Sequence, residues 1–253
     1  MKKIIIIAKN TFRETIRDRI LYGILGFAFI FILFTLFLGS ISLGEDLQII
    51  RSLGLAGIYL FSIIITIFLG ASLIYKEIEK RTLYFVLSKP VSHRDIILGK
   101  FIGLFASILL TTALMTSVYL FVIYYKGGGI DYAALRAVLL QIAELGLFVS
   151  LSILFSTFSR PLPSTLYAII VLYIGHSLDL LIQSAQKNSL FVRRLAQTLY
   201  YLLPNLEKFN IRNLVIYNAH ISWMQIVLPI GYAVLYSAIL LSAAVLLFKK
   251  RDL

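Results

Sequence analysis

The chain has 253 residues, 60% of them apolar and 14% charged, against roughly 45–50% and about 25% in soluble domains. Its 24 Lys and Arg outnumber 12 Asp and Glu, giving a net charge of +12, and it contains no Cys. This composition excludes a disordered chain and a disulfide scaffold, and it assigns the basic excess to a membrane protein rather than to a nucleic-acid binder.

Residues 1–19 predict an amphipathic helix. Ile5, Ala8, Phe12, Ile16 and Ile20 recur at three- and four-residue steps, while Lys9, Arg13 and Arg17 form a basic stripe on another face. Such a helix lies in the interfacial plane, held by apolar burial and anionic lipid. The alternative is an elbow helix that also touches a cytoplasmic partner through Phe12, Arg13 and Arg17. The apolar stretch near the start is too short for a signal-peptide core, and no small-residue cleavage site follows, so the segment is expected to be retained.

A bilayer core of about 30 Å needs about 20 apolar residues in a helix. Six runs meet that requirement: 20–39, 52–75, 101–125, 137–159, 161–184 and 221–248. They are too long and too numerous for the core of a soluble domain, and none shows the period-two alternation of a barrel strand. The expected fold class is an all-α polytopic membrane protein with six transmembrane helices. Sixteen Lys and Arg fall before span 1, between spans 2 and 3, at Arg160 and after span 6, whereas eight fall on the other segments. Because positive residues favour the cytoplasm, both termini are expected inside a plasma (inner) membrane, and residues 185–220 outside.

The loop 76–100 predicts a cytoplasmic helix between spans 2 and 3. Glu77 to Leu87 is long enough for three turns, and Ser88-Lys89-Pro90 stops it, because Pro disfavours helix in the residue before it. Five consecutive apolar residues, Leu83 to Leu87, have no use in a purely solvated loop. Ser92 with Asp95 forms a capping-box variant that starts the helix of span 3. Within that span Gly99, Gly103, Ser107 and Thr111 are spaced four apart, a small-residue face suited to close helix packing.

Span 4 contains Glu144, and span 5 contains His176 and Asp179. A charge at a helix centre costs about 2.5–3.5 kcal/mol on insertion scales. His176 and Asp179 are three apart and so share one helical face. Two readings stay open: a polar site that lines a substrate path or senses protonation, and a helix–helix hydrogen bond. Beyond span 5, residues 185–220 predict two short amphipathic helices. The first carries Phe191, Leu195, Leu199, Leu202 and Leu203 opposite Arg193, Arg194 and Gln197. They either lie on lipid or form an outer lid.

No catalytic or metal-binding motif is expected. The sole Gly-Lys pair, Gly99-Lys100, has Arg94 where a P-loop needs its first Gly and Phe101 where it needs Ser or Thr. His93, His176 and His220 lie far apart, and no protease or esterase signature occurs.

Three stretches together carry a resemblance. "AKNTFRETIRDRILYG" at 8–23 is similar to an elbow helix leading into a first span. "EIEKRTLYFVLSKPVSHRDIILGK" at 77–100 is similar to a coupling helix, through Glu77 and Glu79, Thr82-Leu83, and Leu87-Ser88-Lys89-Pro90. "YYLLPNLEKFNIR" at 200–212 is similar to an outer hairpin before a last span. In this order over the full length they resemble the permease subunits of ABC-2-type transporters. That resemblance implies a half-transporter in a homodimer, or in a heterodimer with a related permease, above separate cytoplasmic ABC ATP-binding subunits. It also implies that ATP and Mg bind to those subunits and not to this chain, and that most relatives export. Glu77, Glu79, Arg81, Thr82, Leu83, Ser88, Lys89 and Pro90 would then form the ATPase-coupling surface. The alternatives are an integral-membrane enzyme that acts on lipid through Glu144, His176 and Asp179, and a membrane assembly scaffold without transport.

Overall fold

The computed structural model describes residues 2–41, 46–75, 79, 91–129, 131–186, 189–217 and 219–250. Among them are nine α-helices and no strand: α1 (Lys2–Ile16), α2 (Arg19–Ser40), α3 (Asp46–Ser72), α4 (His93–Tyr125), α5 (Tyr132–Phe158), α6 (Pro161–Ala185), α7 (Leu190–Leu202), α8 (Arg212–Ile216) and α9 (Met224–Lys250). A short 3-10 turn, Glu207–Phe209, precedes α8. Six helices, α2 to α6 and α9, are long and apolar enough to cross a membrane. The chain is an all-α polytopic membrane protein.

The helices outrun the uncharged stretches that announce them. α3 begins at Asp46, α4 at His93 and α5 at Tyr132, each several residues before the apolar runs 52–75, 101–125 and 137–159. A helix ends where its backbone is capped, not where its side chains turn polar. At α4 the cap is the Ser92–Asp95 box: Asp95 N donates to Ser92 Oγ at 3.2 Å and Ser92 N to Asp95 Oδ2 at 3.2 Å. Between α5 and α6 the turn is tight, with Pro161 opening α6, where its missing N–H costs nothing.

α5 is the most enclosed span, and α3 is next, whereas α2, α6 and α9 leave most of their surface bare. Phe27 and Ile30 on α2, Leu162 and Tyr173 on α6, and Val234 and Ile239 on α9 are all exposed, as lipid-facing side chains are. Several polar side chains in the interior bond within their own helix. Thr66, Ser107, Thr116 and Ser150 each donate to the carbonyl four residues back, which keeps these four hydroxyl protons bonded within their own helices.

α1 does not follow the expected stripe of Ile5, Ala8, Phe12, Ile16 and Ile20. It packs along α4, and its buried residues are Ala8, Thr11 and Thr15. Ile5 is 63% exposed, and Ile20 belongs to α2, where it too is exposed. The expected small-residue face of α4 is the seat of this helix. A Cβ on Gly103 would come within 2.5 Å of the Ala8 carbonyl oxygen and 2.7 Å of Thr11 Cβ, and one on Gly99 within 2.7 Å of Ile7 Cβ. Backbones this close select small residues for the seam, so the largest apolar side chains lie beside it. Phe12 is half-buried, while Arg13 and Arg17 are exposed. After Arg17, Asp18 accepts from Ile20 N at 3.0 Å and starts α2.

The first turn of α4 meets the last turn of α9 at one end of the bundle, where the His93 and Phe248 rings lie 5.4 Å apart edge to face. This is called the α1 end. At the opposite end two ion pairs fasten the start of α3 to the α4–α5 turn, Arg51–Asp131 at 2.8 Å and Lys126–Asp46 at 3.4 Å. α7 lies at that end. Its apolar stripe faces away from the protein, with Phe191 76% and Leu202 68% exposed, and only Ala196 buried.

Candidate functional site

The three ionisable residues of the apolar runs come together in one network, at the end away from α1. Its geometry begins at Gly175. The chain after α7 turns at Pro204 and comes down against α6, with Leu206 N donating to the Gly175 carbonyl at 3.1 Å. A Cβ on Gly175 would lie 2.8 Å from the Leu206 side chain and 2.9 Å from the Pro204 carbonyl. The missing side chain therefore admits the 204–206 backbone, and the neighbouring residues, His176 and Glu207, fall opposite each other.

His176 sits between two carboxylates. Its Nε2 lies 3.1 Å from Glu144 Oε1 and its Nδ1 lies 3.2 Å from Glu207 Oε2. Tyr59 of α3 closes a triangle, donating its hydroxyl proton to Glu144 Oε1 at 2.9 Å while its oxygen lies 2.6 Å from His176 Nε2. Glu144 is almost wholly enclosed, with 3% of its side chain exposed, against 21% for His176 and 40% for Glu207. The network continues outward. Asn210 Nδ2 donates to Glu207 Oε1 at 3.0 Å, and Arg212 Nε donates to Asn210 Oδ1 at 3.0 Å. The Arg212 guanidinium then lies over the Tyr59 ring, 4.2 Å from its centroid.

Asp179, one turn along α6, accepts from Asn205 Nδ2 at 2.8 Å, and Asn205 Oδ1 accepts from Glu207 N at 3.1 Å. Asn205 N itself donates to the Tyr232 hydroxyl on α9 at 3.0 Å. The Lys208 ammonium stands 4.6 Å over the Tyr232 ring. One hairpin thus binds α3, α5, α6 and α9 together.

A neutral imidazole has one donor and one acceptor. Here both ring nitrogens face carboxylate oxygens, and the Tyr59 proton is already committed to Glu144. When every contact is a hydrogen bond, the set holds one proton more than a neutral imidazole and two carboxylates supply. The arrangement can hold or release a proton at His176. It offers no exposed nucleophile, and among the described residues no group of His, Asp and Glu has the form of a metal site.

The sequence singles out Glu144, His176 and Asp179 but not Tyr59, Asn205, Glu207, Asn210, Arg212 or Tyr232. A signal for four of these exists. In "PNLEKFNIR" the polar residues Asn205, Glu207, Asn210 and Arg212 interleave with Leu206, Phe209 and Ile211, which are buried. A hairpin with buried apolar residues must dock on the bundle, and its polar residues then need partners there.

At the α1 end a second arrangement holds the chain that leaves α3. Lys100, 1% exposed, donates from Nζ to the Leu73 carbonyl at 3.3 Å, and Ile74 N donates to Ser156 Oγ at 2.9 Å. A cation at a helix C-terminus also suits the helix dipole. The chain therefore reaches residue 76 already bound to α4 and α5. Of the expected coupling residues, Glu79 is exposed. Glu77, Arg81, Thr82, Leu83, Ser88, Lys89 and Pro90 lie outside the described residues.

Comparison with known proteins gives one family. A family model described as ABC-2 family transporter protein matches residues 5–253. No curated protein matches the chain.

Proposed function

Since this chain belongs to the ABC-2 transporter family, we propose that it is the permease subunit of an ATP-driven exporter. It forms the translocation path as a homodimer or with a related permease, and a separate cytoplasmic ATP-binding subunit holds ATP and Mg. In this reading the α1 end is cytoplasmic, both termini lie there, and the membrane is the cell's inner (plasma) membrane. Residues 76–90 dock on the ATP-binding subunit.

The observation that carries the coupling is the pair of bonds at Leu73 and Ile74. Spans 2 and 3 flank the docking segment, and Lys100 and Ser156 tie its base to α4 and α5. A push from the ATPase then moves α3, α4 and α5 as a body instead of bending a free loop. At the far end of that body Tyr59 and Glu144 hold His176, and His176 holds the hairpin. Nucleotide biases a two-state equilibrium, and the hairpin contact is made in one state and released in the other.

The test is co-purification with the ATP-binding subunit and ATP-coupled transport in proteoliposomes. Charge reversal at both Glu79→Lys and Arg81→Glu is expected to abolish docking while the six spans still insert and fold. If docking and coupling survive the double reversal, this segment is not the coupling surface.

A further inference from the structure

We propose that the furrow between α4 and α9 is a binding site for an anionic phospholipid of the leaflet at the α1 end, with its acyl chain in the furrow and its phosphate on Arg94. α9 packs along α5 and meets α4 at the His93–Phe248 contact. Away from that contact the two helices leave a cavity of about 960 Å³ over α5, at the upper end of the usual size for ligand sites. Small residues make the space: Ala143 and Gly146 form its floor, and Ala238 its α9 side. Phe101 and Phe105, stacked with ring centroids 5.8 Å apart, form the α4 wall.

The furrow runs from Ile230 to Leu246 along α9, about 24 Å at the rise of an α-helix, which is most of a hydrocarbon core about 30 Å thick. Among the described residues its lining includes no acid, and its one charged member is Arg94, at the α1 end. Lys249 and Lys250, both exposed, follow Leu246 at that same end. A long apolar trough with a cationic mouth matches an amphiphile with one anionic head and a long tail. A second copy of the chain in the same orientation matches it poorly. That copy would bring its own basic α1 end against Arg94, and like charges at close range repel. The proposal does not depend on an ATP-binding partner.

The test reconstitutes the full chain with spin-labelled phosphatidylglycerol or phosphatidylcholine and measures the motionally restricted fraction of each. A basic residue at the membrane surface gives roughly a five-fold preference for an anionic headgroup, and that preference is expected here. Arg94→Gln should lower it, leaving the share that Lys249 and Lys250 supply. Ala238→Phe, which fills the furrow from an exposed position, should lower the restricted fraction of both lipids. Equal retention of the two lipids by the native chain overturns the proposal, as does an unchanged preference in Arg94→Gln. The chain has no native Cys, so Ala238→Cys reports alone: disulfide-linked dimers in native membranes would give the furrow to a second copy and also overturn it.

Discussion

At the scale of single residues, the demands on His176 set the behaviour of the network. Both its nitrogens face carboxylates, so the two carboxylates respond differently to substitution. Glu207→Gln supplies an amide that donates to Nδ1, so a neutral ring becomes fully bonded, and thermal unfolding in detergent should shift by less than about 1 kcal/mol. His176→Phe removes the ring's bonds and leaves buried Glu144 with Tyr59 alone, which should cost about 1–3 kcal/mol. If the two variants unfold alike, His176 is not the hub. Glu144, His176 and Asp179 are legible in the sequence because an ionisable group in an apolar run has few ways to exist. Tyr59 is not, since a Tyr in such a run reads as another apolar side chain, and its hydroxyl acquires meaning only when α5 brings Glu144 within 2.9 Å.

At the scale of elements, the hairpin position depends on a residue with no side chain. Gly175→Ala places a Cβ against the Pro204 carbonyl, and backbone cannot yield as a side-chain tip does. The 204–207 segment should lift, separating Glu207 from His176 while α6 remains helical. Amide hydrogen exchange checks this: Leu206 N, bonded to the Gly175 carbonyl, should lose protection, and the interior of α5 should keep it. Length and hydropathy make the six spans legible, and the Ser92–Asp95 box is legible from side-chain spacing alone. The seam of α1 is not. An amphipathic pattern weighs the largest apolar side chains, but Gly99 and Gly103 let the backbones touch, and the contact then falls on Ala8, Thr11 and Thr15. The small residues of α4 were visible in the sequence, yet nothing there says which helix they seat.

At the scale of the whole molecule, Lys100 joins the base of α3 to α4. Lys100→Met keeps the side-chain length and its apolar stem while removing the bond to the Leu73 carbonyl. On the proposed function, the ATP-binding subunit should still dock and hydrolyse ATP, but transport per ATP should fall by about five-fold or more, the low end of typical coupling strengths. A variant that couples normally would show that force reaches the spans by another route. The sidedness of charge and the order of spans are legible because both are sums over many residues. The joining of spans by one hairpin is not, because it depends on contacts between residues as far apart as Tyr59, Glu144, His176, Asn205 and Tyr232.

The packing of α1 on α4 also carries a consequence for biosynthesis. Roughly 95 residues separate Ala8 from Gly103, and a ribosome adding about 5–20 residues per second takes about 5–20 seconds to make them. Throughout that interval α1 has no seat. The side that stays uncovered in the finished protein, with Ile5, Ile6, Lys9 and Arg13, is the side able to hold it on the bilayer surface while it waits. α1 is therefore made well before it is placed, and a chain arrested before α4 would leave it stranded on lipid.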